Sequence, residues 1–293
     1  MNRTEPRELE LPVTGGALRV LRFGTGPRTA VAVHGVSASG MAFRGLAREL
    51  PADWSLFALD LRGRGHSPAA PEGHGIDGHA ADLCAAAERF GDGRPVALAG
   101  HSMGAYVALR AAVRRPGLFG RLLLIDGGLP LPLPEGADPD AVTEATLGPA
   151  LARLRMSFPH EEAYLDFFRA HPALGPYWNE DIERYVRYDA TGQGPDGAVR
   201  SRVQEAAVRA DTRELLASAA DFGADLLSLT VPTRLVYAPR GLADETPGFL
   251  PDALVSHWAG RTPVLDTEQV PDCNHYTIVL GPPAKTLADR LTG

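Results

Sequence analysis

The sequence predicts an α/β fold in which short buried strands alternate with helices, with one helical segment interrupting the alternation. Short apolar runs recur between helix-forming stretches over residues 17–126 and again over 233–290. This alternation is typical of parallel βαβ units. Residues 130–226 contain helical stretches without a clear strand pattern. We therefore predict a core made of residues 1–129 and 227–293, with a helical cap inserted at 130–226.

The individual elements follow from the hydrophobic pattern in chain order. Apolar and β-branched runs predict strands at 17–23, 29–33, 55–60, 94–99, 121–126, 233–238 and 262–270. Stretches rich in helix formers predict core helices at 42–50, 76–90, 105–113, 250–259 and 277–290. The same criterion predicts cap helices at 141–156, 161–170, 180–188 and 198–219.

Composition and charge narrow the classes of protein that this chain can represent. A hydrophobic content of 44% and a charged content of 22% are typical of an ordinary globular protein. The net charge of −7 disfavours nucleic acid or an anionic membrane as the main partner, so we expect a small-molecule substrate. The polar N-terminus and the lack of a long apolar run predict a cytoplasmic protein without a membrane span. Nothing in the sequence indicates the oligomeric state.

The most informative motif is Gly100-His-Ser-Met-Gly104, which stands between a predicted strand and a predicted helix. In that context G-x-S-x-G predicts a sharp turn that exposes a nucleophilic serine, here Ser102. The small residues Gly100 and Gly104 suit the crowded backbone of such a turn. The following helix directs its N-terminal amides toward the same point.

A serine hydroxyl needs a base within hydrogen-bond reach and an acid that orients the base. The predicted base is His275, in the loop between the last predicted strand and the last helix. The preferred acid is Asp244, in the loop after strand 233–238, because the order serine, acid, histidine is typical of this arrangement. Asp126, at the end of strand 121–126, and Glu245 are the alternatives.

The oxyanion of an acyl-transfer reaction needs hydrogen-bond donors that are already in place. The expected donors are the backbone amides of Met103, at the start of a helix, and Val36, in the turn after the second strand. Ser37 is expected to line the substrate pocket. Eight aromatic residues between positions 158 and 188 suggest an apolar roof, and Phe168 and Trp178 are the pocket candidates among them.

Several other motifs are interpreted as structural. The turn at 60–67 is glycine-rich, but it lacks the residues of a phosphate-binding loop, and His34 is expected to support the neighbouring turn. Cys84 and Cys273 are expected to be buried packing residues, although Cys273 is an alternative second nucleophile. No cluster of His, Cys and Asp has metal-ligand spacing, so no metal and no cofactor are expected.

Taken together, these motifs resemble the α/β-hydrolase fold superfamily. The matching motifs occur in the family's order and span residues 31–276. They are His34-Gly35, Asp60-x-Arg62-Gly63-x-Gly65-x-Ser67, the Gly100–Gly104 elbow and Asn274-His275. The resemblance implies a mostly parallel eight-stranded sheet flanked by helices, with a helical cap after the sixth strand. The chain is most similar to the cofactor-free serine esterases, lactonases and perhydrolases of that superfamily.

The expected activity is hydrolysis of a small-to-medium apolar carboxylic ester, lactone or thioester through an acyl-enzyme. A C–C bond hydrolase and a cofactor-free perhydrolase or haloperoxidase are alternatives with the same triad. A non-catalytic ligand receptor is a third. The serine at position 102 argues against the haloalkane dehalogenases and epoxide hydrolases, which use an aspartate nucleophile.

Overall fold

An eight-stranded sheet forms the centre of the computed structural model, which describes residues 4–69, 74–131, 136, 138–192 and 196–293. Its strands are β1 (Arg7–Val13), β2 (Gly16–Phe23), β3 (Arg28–Val33), β4 (Trp54–Leu59), β5 (Val96–His101), β6 (Phe119–Ile125), β7 (Thr233–Tyr237) and β8 (Leu265–Gln269). They lie in the order β1-β2-β4-β3-β5-β6-β7-β8, and only the pairs made by β2 are antiparallel. The predicted fold class is confirmed.

Helices cover both faces of the sheet. They are α1 (Arg44–Glu49), α2 (Ile76–Phe90), α3 (Met103–Arg114), α4 (Pro139–Leu154), α5 (Glu161–Arg169), α6 (Glu180–Asp189), α7 (Glu205–Ala217), α8 (Ala219–Ser228), α9 (Asp252–Ala259), α10 (Thr277–Leu280) and α11 (Ala284–Thr292). Alternate side chains of β3 enter two separate apolar clusters. Val31 packs with the α2 and α3 side, whereas Ala32 packs with the α1 and α11 side. Burial on both faces explains why such strands appear in the sequence as continuous apolar runs.

Three elements differ from the predictions. The helix predicted at 198–219 is α7, which begins only at Glu205, and the separate helix α8 follows it. Strand β1 is absent from the predictions, because its apolar residues stand only at alternate positions and Leu11 is the only one that is fully buried. The helix predicted at 277–290 is two helices, α10 and α11, separated at Gly281 to Pro283. Proline removes an amide donor and clashes with the preceding turn, so consecutive prolines at 282 and 283 end the first helix and begin the second.

The segment between β6 and β7 contains helices α4 to α8. Residues 132–135, 137 and 193–195 of the predicted cap lie outside the described residues, and the boundaries 130–226 stay a prediction. Phe222 and Leu226 of α8 belong to the same buried cluster as Tyr106 of α3. In the described part of the chain, no helix has both the length and the apolar character needed to span a bilayer.

Candidate active site

Ser102 lies on a strained turn between β5 and α3. Its backbone has φ 54° and ψ −123°, a conformation that L residues rarely adopt. A Cβ atom on Gly100 would lie 2.2 Å from the carbonyl oxygen of Gly104, and one on Gly104 would lie 2.2 Å from that of Val33. Only glycine therefore fits at both positions without moving the backbone, as the turn motif predicted.

His275 contacts both the serine and a carboxylate. Its Nε2 lies 3.0 Å from Ser102 Oγ, and its Nδ1 lies 2.7 Å from Asp126 Oδ2. An ionised carboxylate can only accept, so Nδ1 carries the proton and donates it to Asp126. In a neutral ring Nε2 is then free to accept the hydroxyl proton of Ser102. Asp126 is fully buried and His275 is 3% exposed, so water barely competes for these hydrogen bonds.

Asp126 is held by the ends of two neighbouring strands. It directly follows β6, and its amide donates to the carbonyl of Val236 in β7 (2.8 Å). Its Oδ1 accepts from the amide of Ala238, just beyond β7 (3.2 Å). Because the carboxyl ends of parallel strands meet at one sheet edge, these contacts place Asp126 beside the loop that carries His275.

Asp244, the preferred acid from the sequence, does not occupy that place, and the prediction that it contacts His275 is wrong. Its Oδ1 accepts from Asn274 Nδ2 (2.8 Å) and lies 2.8 Å from Arg240 Nε, whereas its Oδ2 accepts from the Tyr177 hydroxyl (2.9 Å). Arg240, four residues earlier, and Tyr177 hold the carboxylate away from the imidazole. Asp244 therefore reaches the His275 loop only through Asn274.

Glu245, an alternative acid, and Cys273, an alternative nucleophile, make their contacts within their own loops. Glu245 Oε2 accepts from the amide of Ala243 (2.7 Å), so this carboxylate caps its own loop. Cys273 is fully buried, and its Sγ lies 3.2 Å from the carbonyl oxygen of Val270. Burial raises the pKa of Cys273 to about 12, which keeps it a thiol rather than a nucleophilic thiolate.

The turn after β3 lies directly against Ser102. A Cβ atom on Gly35 would be 3.1 Å from Ser102 Cβ and 3.5 Å from its Oγ. Val36 and Met103, the predicted donors, both border the cavity that Ser102 faces. Met103 is the first residue of α3, so its amide has no acceptor within the helix.

His34 fixes the peptide group that precedes Val36. The amide of Leu61 donates to His34 Nε2 (3.0 Å), so the proton of the neutral ring is on Nδ1. Nδ1 donates to the carbonyl oxygen of Gly35 (2.7 Å), which belongs to the same peptide group as the Val36 amide. Burial lowers the pKa of His34 to about 3, so the ring stays neutral at ordinary pH.

His101 is a site residue whose contacts were not predicted. Its Nε2 donates to the carbonyl oxygen of His275 (2.9 Å), and the two rings are 4.9 Å apart. Burial and the neighbouring His275 lower the pKa of His101 well below its usual value, so it supports the loop as a neutral donor. Sequence position beside Ser102 gave no sign of this contact, because it joins segments 174 residues apart.

Ser102 and His275 open onto a cavity of about 370 Å³. Its walls are formed by the Gly35 turn, by helices α4, α7 and α10, and by the loop that precedes α9. Most of the residues that line it are apolar. Among the described residues, no charged side chain lines it. Ser37 also lines this cavity.

The two aromatic pocket candidates do not line this cavity. Phe168 is 7% exposed, and its ring packs against Tyr164 and Phe167 on the inner face of α5. Trp178 packs under the guanidinium of Arg169, whose Cζ is 5.1 Å from the ring centroid. Of the eight aromatic residues between 158 and 188, Tyr185 does line the cavity, whereas Phe158, Tyr164, Phe167 and Phe168 pack against one another.

Comparisons with known proteins give matches along most of this chain. Residues 30–290 match the family described as the alpha/beta hydrolase family. Lipase LipV of Mycobacterium tuberculosis is 40% identical over 116 residues, which cover 39% of this chain and less than half, 43%, of that protein. 2-(Acetamidomethylene)succinate hydrolase of Mesorhizobium japonicum is 27% identical over 266 residues, which cover 90% of this chain and 87% of that protein.

Solved structures share the fold at low sequence identity. The thioesterase domain from the curacin biosynthetic pathway superposes with a TM-score of 0.76 at 20% identity, covering 98% of this chain and 99% of that chain. The family match extends over both the elbow and the His275 loop, which the structure brings together at hydrogen-bond distance. This chain belongs to the alpha/beta hydrolase family.

Proposed function

We propose that this protein is a serine hydrolase that cleaves an uncharged, apolar carboxylic ester or thioester through an acyl-enzyme. The observation that carries the proposal is the pair of hydrogen bonds that links Asp126 to His275 and His275 to Ser102. Ser102 in turn borders an apolar cavity. A nucleophile, a base and an orienting acid at these distances are the minimum set for acyl transfer.

In this mechanism Ser102 Oγ attacks the substrate carbonyl carbon while His275 Nε2 takes the hydroxyl proton. The buried Asp126 carboxylate stabilises the imidazolium and keeps Nδ1 protonated. When the tetrahedral intermediate collapses, His275 returns the proton to the leaving alcohol or thiol. His275 then activates a water molecule, which attacks the acyl-enzyme and releases the acid.

The amides of Val36 and Met103 serve as the oxyanion donors in this proposal. Both residues border the cavity next to Ser102, and the start of α3 adds the positive end of a helix dipole. The Val36 amide is held by the hydrogen bond of His34 to its peptide group. Donors fixed before the reaction need no reorganisation when the negative charge develops.

The cavity lining favours an uncharged acyl group. Burying a carboxylate without a partner costs several kcal/mol, and no cationic side chain lines the cavity among the described residues. The Mesorhizobium relative, by its name, acts on a substituted succinate, which carries two carboxylates. The names lipase and thioesterase instead describe cleavage of esters and thioesters, and these reactions suit the apolar lining better.

The test compares esters that differ only in acyl charge. The wild-type protein should hydrolyse p-nitrophenyl butyrate and hexanoate with a kcat/KM at least about 100-fold above that for a p-nitrophenyl succinate monoester, because the carboxylate has no partner in the cavity. Ser102→Ala should lower kcat by at least about 10³-fold. A fluorophosphonate probe should label the wild-type protein and fail to label Ser102→Ala.

Ser37→Ala is the matched control, because Ser37 lines the same cavity. It should retain labelling, and its kcat should stay within about tenfold of wild type. Undiminished ester turnover in Ser102→Ala would overturn the proposal, and so would a preference for the anionic ester. Tight ligand binding by a wild-type protein that the probe does not label would favour the receptor alternative instead.

A further inference from the structure

The glycine-rich turn at 60–67 contacts the oxyanion turn at three points. The oxyanion turn is defined here as residues 34–40. The three hydrogen bonds join Gly40 N to Asp60 Oδ1 (2.7 Å), Leu61 N to His34 Nε2 (3.0 Å) and Arg64 Nε to Val36 O (2.9 Å). The turn at 60–67 is therefore a scaffold for the segment that presents the Val36 amide.

Arg64 makes the only one of the three contacts that involves a cationic side chain, and its counter-charge comes from α7. Its side chain is fully buried, and its Nη1 lies 2.5 Å from Asp211 Oδ2. Asp211 also accepts from the amide of Gly75 (2.6 Å) and lies 3.0 Å from His79 Nε2. Although burial alone would raise it, the hydrogen bond from His79 and the charge of Arg64 hold the pKa of Asp211 well below its usual value. Asp211 thus stays ionised at working pH.

The helix that carries Asp211 also forms part of the cavity wall. Thr212, Leu215 and Leu216 of α7 line the cavity. The residue before α7, Gln204, donates its amide to the carbonyl of Gly63 in the scaffold turn (2.9 Å). The same helix therefore contacts the substrate space and the support of the oxyanion turn.

We propose that Asp211 and Arg64 are positioning residues for the reaction. Asp211 fixes the guanidinium of Arg64, and Arg64 fixes the Val36 peptide so that the Val36 amide points at the developing oxyanion. The inference rests on the proposed function, because that function makes Val36 an oxyanion donor.

The orientation of the Val36 amide depends on the two peptide groups that flank its Cα. His34 holds the carbonyl of the preceding group, and Arg64 holds the carbonyl of the following one. Gly35 O also accepts from the Ala38 amide (3.1 Å), which ties the peptide group of the Val36 amide to the turn that follows Val36. Without the hydrogen bond from Arg64, the peptide group after Val36 loses its side-chain anchor, and the Val36 amide is directed less closely at the oxyanion. An oxyanion donor acts only when it is already directed at the site, so the effect should appear in the transition state rather than in substrate binding.

The same turn supplies a matched control pair. Arg62 donates to both oxygens of Asp82 (2.8 and 2.7 Å) and to the carbonyl of Thr14 (2.8 Å). Arg62 and Asp82 are as deeply buried as Arg64 and Asp211, with side chains at most 4% exposed. Asp82→Asn and Asp211→Asn therefore remove the same charge from two comparable buried pairs.

The experiment compares the two variants with the wild-type protein on one neutral ester. Asp211→Asn should lower kcat by about 10- to 100-fold and leave KM within about threefold, whereas Asp82→Asn should leave kcat within about threefold. The affinity for a trifluoromethyl ketone, whose adduct with Ser102 carries an oxyanion, should fall in Asp211→Asn by the same factor as kcat. A change in stability alone would not produce this match.

A second variant covers the case in which Asp211→Asn does not fold. The double variant Arg64→Met with Asp211→Leu removes both buried charges, a change that proteins tolerate better than removal of one partner. It should show the same fall in kcat. The inference is overturned if either folded variant keeps kcat and ketone affinity within about threefold of wild type, or if kcat falls as far in Asp82→Asn as in Asp211→Asn. Turnover by wild type that does not depend on Ser102 would instead overturn the proposed function and, with it, this inference.

Discussion

Replacing the two competing carboxylates one at a time gives the sharpest test of the proposed mechanism. Asp126→Asn should remove nearly all turnover, and Asp244→Asn should leave most of it. The two substitutions are chemically identical, and both positions lie near the His275 loop. They differ in which atom each carboxylate contacts: Asp126 meets the imidazole, whereas Asp244 meets the side chain of Asn274.

The magnitudes follow from burial and distance. Asp126 is fully buried and lies 2.7 Å from His275 Nδ1. Opposite charges about 4 Å apart attract by about 4 kcal/mol at an effective dielectric constant of about 20, which corresponds to about 10³-fold in rate. Asp126 also selects the correct tautomer of the imidazole, and loss of that selection lowers the rate further. We therefore expect kcat to fall by about 10³- to 10⁴-fold.

The expected effect at Asp244 is much smaller. Its ion pair with Arg240 is partly exposed, with side chains 24% and 26% accessible. Such a pair contributes no more than about 1 kcal/mol, or about fivefold in rate. An asparagine at this position also keeps an oxygen that can accept from Asn274.

The assay is steady-state hydrolysis of p-nitrophenyl butyrate, with near-ultraviolet circular dichroism to verify that each variant is folded. Equal reductions of kcat in Asp126→Asn and Asp244→Asn would refute the assignment. A folded Asp126→Asn that keeps more than about a tenth of the wild-type kcat would also refute it, because the contact would then contribute less than about 1.4 kcal/mol.

Two further predictions concern stability. Gly104→Ala should lower the free energy of unfolding in urea by about 3 kcal/mol, because the new Cβ would lie 2.2 Å from a backbone oxygen; Gly117→Ala, with open space around its Cα, should change it by less than about 0.5 kcal/mol. Equal effects at the two glycines would contradict the packing argument. Burial raises the pKa of Asp60 to about 6 from 3.8, so its protonated form is favoured in the folded state. The stability it contributes is present at low pH and is lost as the pH rises through 6. From pH 5 to 7.5, wild type should therefore lose about 1.4 kcal/mol relative to Asp60→Asn. A difference between the two proteins that does not change with pH would rule out this shift.

Most of the fold could be predicted because the central strands are recognisable from their own residues. Strands such as β4 and β5 are buried along their full length and appear as short apolar runs. Strand β1 could not be recognised in the same way, since only Leu11 is fully buried, while Leu9 and Val13 are partly buried against the same cluster. Its apolar residues stand only at alternate positions, with Glu10 and Pro12 between them, so no continuous apolar run marks this strand.

The predicted nucleophile and base lie together in the structure. Both residues could be predicted because each is marked by a local feature of the sequence. Ser102 lies in a turn motif with a defined backbone, and His275 lies in the loop where chain order requires a base. The choice of acid depended on contacts between distant segments. Tyr177, far from Asp244 in the sequence, donates to its carboxylate, and no spacing rule reveals such a contact.

The two carboxylates support the same loop by different routes. Because β6 and β7 are neighbours, residues following either strand can reach the loop after β8. Asp126 acts on the imidazole of His275, whereas Asp244 acts on Asn274, whose Oδ1 accepts from the amides at the start of α10. Asp126 is anchored by hydrogen bonds to the backbone at the end of β7, while Asp244 lies in a longer loop. A group on a rigid strand end holds its geometry more closely than one on a loop. The orienting role therefore suits Asp126, and the loop carboxylate is left to support the backbone that presents the base.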